Sequence, residues 1–260
     1  MSAFLYAAFI FYLTSFFVVI AFHVKGAGAL STLSRALVIL GLASHSTALV
    51  LRVLSTGHAP MASMFETLVF YSWTTVLVTV LVMFRYAERR VEAVTMPVAL
   101  GALLFAMMNE KPGGPLPLIL RTRWFEAHVT LSFAAYALFT LSFAGAALYL
   151  FYTSRQGFEA ELKRYQEIAA KSVLWGFCLF SAAMFSGAVW AYLAWGTYWL
   201  WEPKTLWSFI VWVYYAGAMH AYYVKDWRGK GLSVATVGGF LVVIFTYLGV
   251  SLLMKSSHSF

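Results

Sequence analysis

The chain has 260 residues, of which 62% are hydrophobic and 11% charged, with 18 Lys and Arg against 10 Asp and Glu for a net charge of +8. A soluble domain has about 45–50% apolar and about 25% charged residues, so soluble globular and disordered classes are both excluded. The mean hydropathy of +0.78 agrees, and a single Cys rules out both an intrachain disulfide and a CxxC redox pair.

The composition describes an all-α polytopic membrane protein, one integral membrane domain over 1–260. A span takes about 20 mostly apolar residues to cross about 30 Å of hydrocarbon. Eight candidates follow in chain order: 3–22, 35–54, 64–84, 93–108, 127–153, 172–195, 205–224 and 232–254. The fourth is short and holds Pro97 and Gly101. Backbone groups must pair internally in lipid, so each span is expected as a helix. The first has no small-residue cleavage site after it and reads as a helix, not a signal peptide.

Orientation follows from the basic residues. With the amino terminus outside, the inner loops hold twelve of the 18 Lys and Arg: Lys25 and Arg35, then Arg85, Arg89 and Arg90, then Arg155, Lys163, Arg164 and Lys171, then Lys225, Arg228 and Lys230. Arg52, Lys111, Arg121, Arg123, Lys204 and Lys255 fall outside. The positive-inside rule therefore predicts both termini on the outer, periplasmic side. The positive charge marks loops rather than a nucleic-acid partner, and none is expected. Segment 154–171 carries seven charges at helical spacing and reads as a solvated cytoplasmic helix-loop.

Aromatics make up 18% of the chain, and six of the ten Trp fall between 190 and 212: Trp190, Trp195, Trp199, Trp201, Trp207 and Trp212. Membrane interfaces are enriched in Trp and Tyr, but such a belt is spread over many helix ends. Here the rings gather in one outer connection, 190–212, between spans six and seven. Glu202 precedes Pro203, which is placed to open span seven as its first helical residue, with the carboxylate near the positive end of the helix dipole. A surface of this kind suits a large flat apolar ligand held by stacking, with charged groups at its edge.

The six His are distributed to match. His128 and His258 lie at outer helix ends, His45 and His220 inside spans, His58 in the outer loop TGHAP, and His23 at the inner end of span one. Taken singly, each is best read as a hydrogen-bonded packing residue, although intramembrane ionisable groups are functional candidates by default. Two His at one depth beside an aromatic shelf are what axial haem ligation needs. Zinc fits less well, because no other ligand type is near either His in sequence. Arg121, Arg123 and Lys204 run against the positive-inside bias, and haem propionates are a fitting anionic partner for Arg123 and Lys204. Lys111 and Lys255 read as ordinary interfacial residues.

The run Trp195-Gly196-x-Tyr198-Trp199-x-Trp201-Glu202-Pro203-Lys204-x-x-Trp207 resembles the tryptophan-rich "WWD" motif of the haem-handling cytochrome c assembly proteins. Within that superfamily it is most similar to CcsA (ResC) of the System II pathway. Ile210, Trp212, Tyr215 and His220 continue the likeness, as does the stretch from Arg52 to Tyr71, and Trp124-x-x-x-His128 and His258 are similar to the family's two external haem-ligand histidines. Two positions depart from the motif: its usual Asp is Glu202, and Thr205 replaces the acidic residue that often follows the Lys.

The resemblance implies a haem-binding subunit of a cytochrome c synthase of the haem-lyase type, in the bacterial inner (cytoplasmic) membrane. Haem b would pass outward to a site where His128 and His258 hold the iron above Trp195, Trp199, Trp201 and Trp207. Glu202, Arg123 and Lys204 would lie at its edge, and apocytochrome c would receive it through two thioether bonds. His220 would match the family's transmembrane haem ligand, with the opposite ligand from a CcsB (ResB) partner. His45 and His58 are further candidates. Cys178 lies within span six, so thiol reduction falls to thioredoxin-like proteins, and membrane lipid completes the expected partners. HemX-like and CcmC-like haem-handling proteins without synthase activity are the nearest rival readings. A quinone-reactive subunit is a poorer fit. A non-haem small-molecule transporter would show broken helices and inverted repeats, neither of which is visible.

Overall fold

The computed structural model describes residues 1–225 and 227–254, and among these there is no strand. The eight expected spans are eight helices: α1 Ser2–Lys25, α2 Gly28–Thr56, α3 Met64–Tyr86, α4 Arg90–Met108, α5 Arg123–Tyr152, α6 Glu159–Trp195, α7 Pro203–Tyr223 and α8 Lys230–Leu253. Seven of them are long and apolar enough to cross a membrane. The exception is α7, whose 21 residues include Lys204, Trp207, Trp212, Tyr214, Tyr215 and His220. The short fourth span forms a 19-residue helix with Pro97 inside it.

The chain divides into two compact units, 1–118 and 119–260. In the first, α1 packs along α2 and α3 along α4, and contacts of α1 with α4 and α2 with α3 complete the bundle. Two buried polar clusters hold its opposite ends. At one, the Arg52 guanidinium donates from Nε to Glu66 Oε1 at 2.7 Å and from Nη2 to the Lys111 carbonyl at 3.1 Å. Glu66 also accepts from the Ala62 backbone N–H at 2.7 Å, while Ser63 caps α3 by accepting from the Glu66 N–H at 3.3 Å. At the other end, Arg89 pairs with Glu92 at 2.7 Å, and Ser15 donates to Glu92 at 2.9 Å. Arg89 also donates to Ser34. Burial disfavours the charged Arg89 guanidinium and moves its pKa down, against the opposing pull of Glu92.

In the second unit α5 and α6 form the most extensive pairing, α8 packs on α5, and α7 packs on α6 and α8. Aromatic rings fill the interior: Phe139 stacks on Tyr215 at 3.6 Å and meets Phe180 edge-on at 6.1 Å. The charged segment 154–171 is mostly not a loop. Helix α6 begins at Glu159 and runs 37 residues without interruption to Trp195. At 1.5 Å per residue that is about 55 Å, so it extends beyond about 30 Å of hydrocarbon. The sequence reading placed the end of the polar segment and the start of the span at residues 171 and 172, where charge density falls, but the backbone has no reason to break there. Lys171 instead pairs with Glu167 one turn earlier at 2.6 Å. Helix α8 contains one wide π turn, Phe245–Gly249.

Removing Arg52 leaves the Glu66 carboxylate buried without its cation. Arg52→Ala is expected to cost about 3–5 kcal/mol of stability and Arg52→Lys less, measured by thermal unfolding in detergent. Equal unfolding temperatures for wild type and Arg52→Ala would refute the structural weight given to this pair.

Candidate functional site

One end of the second unit collects most of the tryptophans. Thr122 caps α5 by accepting from the Phe125 N–H at 3.1 Å, which starts the helix with Arg123 and Trp124 exposed on its first turn. His128 follows on the next turn, partly buried. Its Nδ1 lies 2.8 Å from the Ala183 carbonyl of α6. A carbonyl oxygen only accepts, so Nδ1 carries the proton and the ring's lone pair is on Nε2, the tautomer of a metal ligand.

Two residues of α6 make that placement possible. Gly187 lies directly against the imidazole, where a Cβ would fall 2.5 Å from His128 Nδ1. Trp190 is 1% exposed. Its Nε1 donates to the Ile119 carbonyl at 2.9 Å. The Trp190 ring lies nearly parallel to His128 at 6.3 Å, meets Trp195 at 4.9 Å and packs on Phe125 at 5.1 Å.

The connection to α7 is short and folded back. Gly196 ends α6 in the left-handed conformation typical of such caps, with φ 74. Tyr198 then stacks on Tyr192 of the preceding helix at 4.5 Å. Trp199 meets Trp201 at 5.6 Å and Phe209 at 6.0 Å. Trp201 is 81% exposed, whereas the Trp199 Nε1 is buried with no hydrogen-bond partner among the described residues. Glu202 is the N-cap and Pro203 the first residue of α7, as the sequence predicts. Lys204 donates to Ser251 of α8 at 3.3 Å, and Trp207 packs on Phe245 in the π turn at 4.5 Å.

His128, Arg123, Trp195, Trp199, Trp201, Glu202, Lys204 and Trp207 are thus carried by the terminal turns of α5, α6 and α7 and the link between them. His220 is not with them. It is exposed on the last turn of α7, about 25 Å along the helix from Pro203. His258 lies outside the described residues. His45 and His58 belong to the first unit. His45 is fully buried, with Nδ1 3.4 Å from the Tyr12 hydroxyl, and the His58 ring nitrogens lie 2.7 Å from the Ala59 carbonyl and 3.0 Å from the Gly114 carbonyl. Sequence reading missed Gly187 and the linking role of Trp190. The spacing of the small residues Ala183 and Gly187, four apart on α6, is the signal of a close helix approach there.

The donor set fits haem better than a bare ion. Among the described residues no three His, Cys, Asp or Glu side chains gather to hold a metal. One imidazole with a lone pair on Nε2, broad indole faces and a buried indole N–H are suited to an iron porphyrin. Fold and site together define a polytopic helical membrane protein with a histidine-bearing aromatic shelf at one end.

The family model described as Cytochrome C assembly protein matches residues 61–258. The chain belongs to this family, in its CcsA type, and its role is in cytochrome c maturation. The cytochrome c biogenesis protein CcsA of Prochlorococcus marinus (strain NATL1A) is 30% identical over 292 residues, covering 98% of this chain and 92% of that protein. CcsA of strain MIT 9215 is 30% identical over 237 residues, covering 79% and 77%. Among solved structures, Cytochrome c Heme Lyase CcmF superposes with a TM-score of 0.72 at 18% identity over 98% of this chain. That is a likeness of fold, and this chain spans only 46% of the CcmF chain.

Trp190→Phe keeps an aromatic ring but leaves the Ile119 carbonyl without its donor. It is expected to destabilise the second unit by about 1–3 kcal/mol, read as a lower unfolding temperature in detergent.

Proposed function

We propose that the chain holds haem b at its tryptophan-rich end and presents it to apocytochrome c for thioether formation. The observation that carries this reading is the His128 imidazole, held by the Ala183 carbonyl in the ligand tautomer beside Trp190 and Trp195. His128 supplies one axial nitrogen and His258 the other. Trp195, Trp199, Trp201 and Trp207 give the porphyrin its apolar faces, and Arg123 and Lys204 neutralise its propionates. Glu202 limits the net positive charge at the rim.

In the attachment step each cysteine thiol adds across one haem vinyl group. A C–S bond forms, the thiol proton ends on the other vinyl carbon, and no external oxidant is consumed. The protein's part is to fix the ring, exclude water and keep the vinyl edge open, while haem as substrate brings the reactive carbon. The target's own His then displaces one axial His, which releases the product. Thioredoxin-like proteins keep the target thiols reduced.

His220, exposed near the other end of α7, is the transmembrane ligand in this reading, opposite a histidine of a CcsB-like (ResB) partner. The positive-inside count puts the Trp-rich end and both termini on the periplasmic side of a bacterial inner membrane. Haem is then taken up from the inner side and delivered outward.

The test is absorption spectroscopy of the chain purified with its CcsB-like partner. Bis-His haem gives a sharp reduced α band. His128→Gly and His258→Gly should lose the outer-site share of it and regain that share with added imidazole. Unchanged spectra in both variants would overturn the outer-site assignment. Gly187→Ala should weaken haem retention about 10-fold, because the new methyl group displaces His128 from the Ala183 carbonyl.

A further inference from the structure

The connection that follows α4, residues 109–117, forms neither helix nor strand and is fastened to the rest of the first unit by side chains. Ser2 donates to Glu110 Oε1 at 2.7 Å, and Arg52 donates to the Lys111 carbonyl at 3.1 Å. Gly113 lies so close to the end of α2 that a Cβ there would fall 2.7 Å from Thr56 Cγ2. The next fastening is His58, whose Nε2 is 3.0 Å from the Gly114 carbonyl.

His58 follows Gly57, which ends α2 at φ 74, and its ring Nδ1 is 2.7 Å from the Ala59 carbonyl. Both ring nitrogens therefore face carbonyl oxygens, and a carbonyl only accepts. A neutral imidazole carries a single N–H, so one contact would set a nitrogen lone pair against oxygen lone pairs. Only the doubly protonated ring donates to both. His58 is partly exposed, so this charge keeps contact with solvent. With both nitrogens engaged it has no lone pair to offer iron. The two contacts differ in reach. The one to Ala59 is between chain neighbours, whereas the one to Gly114 spans 56 residues and is the one that holds the connection.

The charged groups on the surrounding elements are Arg52 on α2, Glu66 on α3, Glu110 and Lys111 in the connection, and the Met1 ammonium next to Ser2. Arg52 and Glu66 hold each other at 2.7 Å, and among the described residues none of the five is ion-paired with His58.

We infer that His58 is a pH-operated latch on the 109–117 connection. Protonated, it pins Gly114 to the 57–63 loop. On losing the Nε2 proton to solvent it keeps the Ala59 contact and releases Gly114, while Arg52 still holds Lys111. The charged form gains the extra partner in the folded state, so the fastening is complete in acid and is lost as the pH rises. The same connection runs on to Ile119, whose carbonyl accepts from Trp190, so the latch sets the freedom of the chain leading into the tryptophan-rich end. The device goes beyond haem handling and does not depend on it.

The experiment uses the full chain in detergent, with Cys178→Ser and a nitroxide label on Pro115→Cys, read by electron paramagnetic resonance at about pH 6 and about pH 8.5. With His58 present, the ratio of immobile to mobile signal should fall about tenfold across that rise, the scale of one hydrogen bond from a charged donor. His58→Gln does not titrate and should give the same ratio at both pH values, and His58→Ala should be mobile at both. A label on Leu118→Cys, at a site 81% exposed, repeats the reading with Pro115 intact. A ratio that does not change with pH when His58 is present overturns the latch. So does an equal change in His58→Gln, which would assign the response to Glu110 or the Met1 ammonium.

Discussion

The indole N–H of Trp190, donated to the Ile119 carbonyl, ties the last turns of α6 to the segment that leads into α5. A buried indole N–H without an acceptor is costly, and the carbonyl before a helix start needs a donor, so each satisfies the other at modest net gain and large cost if broken. With that bond made, the Trp190 ring has one orientation. His128, Trp195 and Phe125 then pack against its faces and edges. The Ala183 carbonyl sets the imidazole from below, and Gly187 leaves room for it. The rings around His128 are therefore one connected arrangement, and in the link beyond it the exposed Trp201 meets Trp199.

The first unit is held differently. Two buried ion pairs, Arg52 with Glu66 and Arg89 with Glu92, are local in sequence, but each reaches on to a distant segment. Arg52 reaches the carbonyl of Lys111 and fastens the connection after α4, while Glu92 accepts from Ser15 on α1. Isolated charges in such surroundings are costly, so each is held against its counter-charge. The polar residues of the first unit thus act as clasps at helix ends, whereas the second unit relies on aromatic packing.

Seven of the eight helices were legible as apolar runs of spanning length, and Pro203 marked the start of α7 because its missing N–H is harmless at a first helical position. The continuity of α6 was hidden. Glu, Lys and Ala in 159–171 lower hydropathy without lowering helix propensity, so a hydropathy boundary was read as a structural one. The division into two units was not read, although the Pro- and Gly-rich run KPGGPLP at 111–117 lies just before it. Clustering of Trp and the position of His128 were visible as chemistry, but the role of Gly187 depends on which way α5 and α6 face each other. That rotation is a property of packing and leaves only a faint small-residue trace in one helix. For His58, the loop carbonyls of Ala59 and Gly114 that surround its ring have no side-chain identity and could not be read at all.

The wide turn at Phe245–Gly249 changes the azimuth of everything beyond it in α8. A π turn accommodates one extra residue, so the positions after it are rotated by roughly 100° from where an uninterrupted α-helix would carry them. Ser251 meets the Lys204 ammonium from that rotated position. Straightened by the loss of one residue, α8 would turn a different side chain toward α7 and leave the lysine without the Ser251 hydroxyl. The local irregularity is a phase correction, and it lets a cation sit at the start of α7 with a hydroxyl to solvate it.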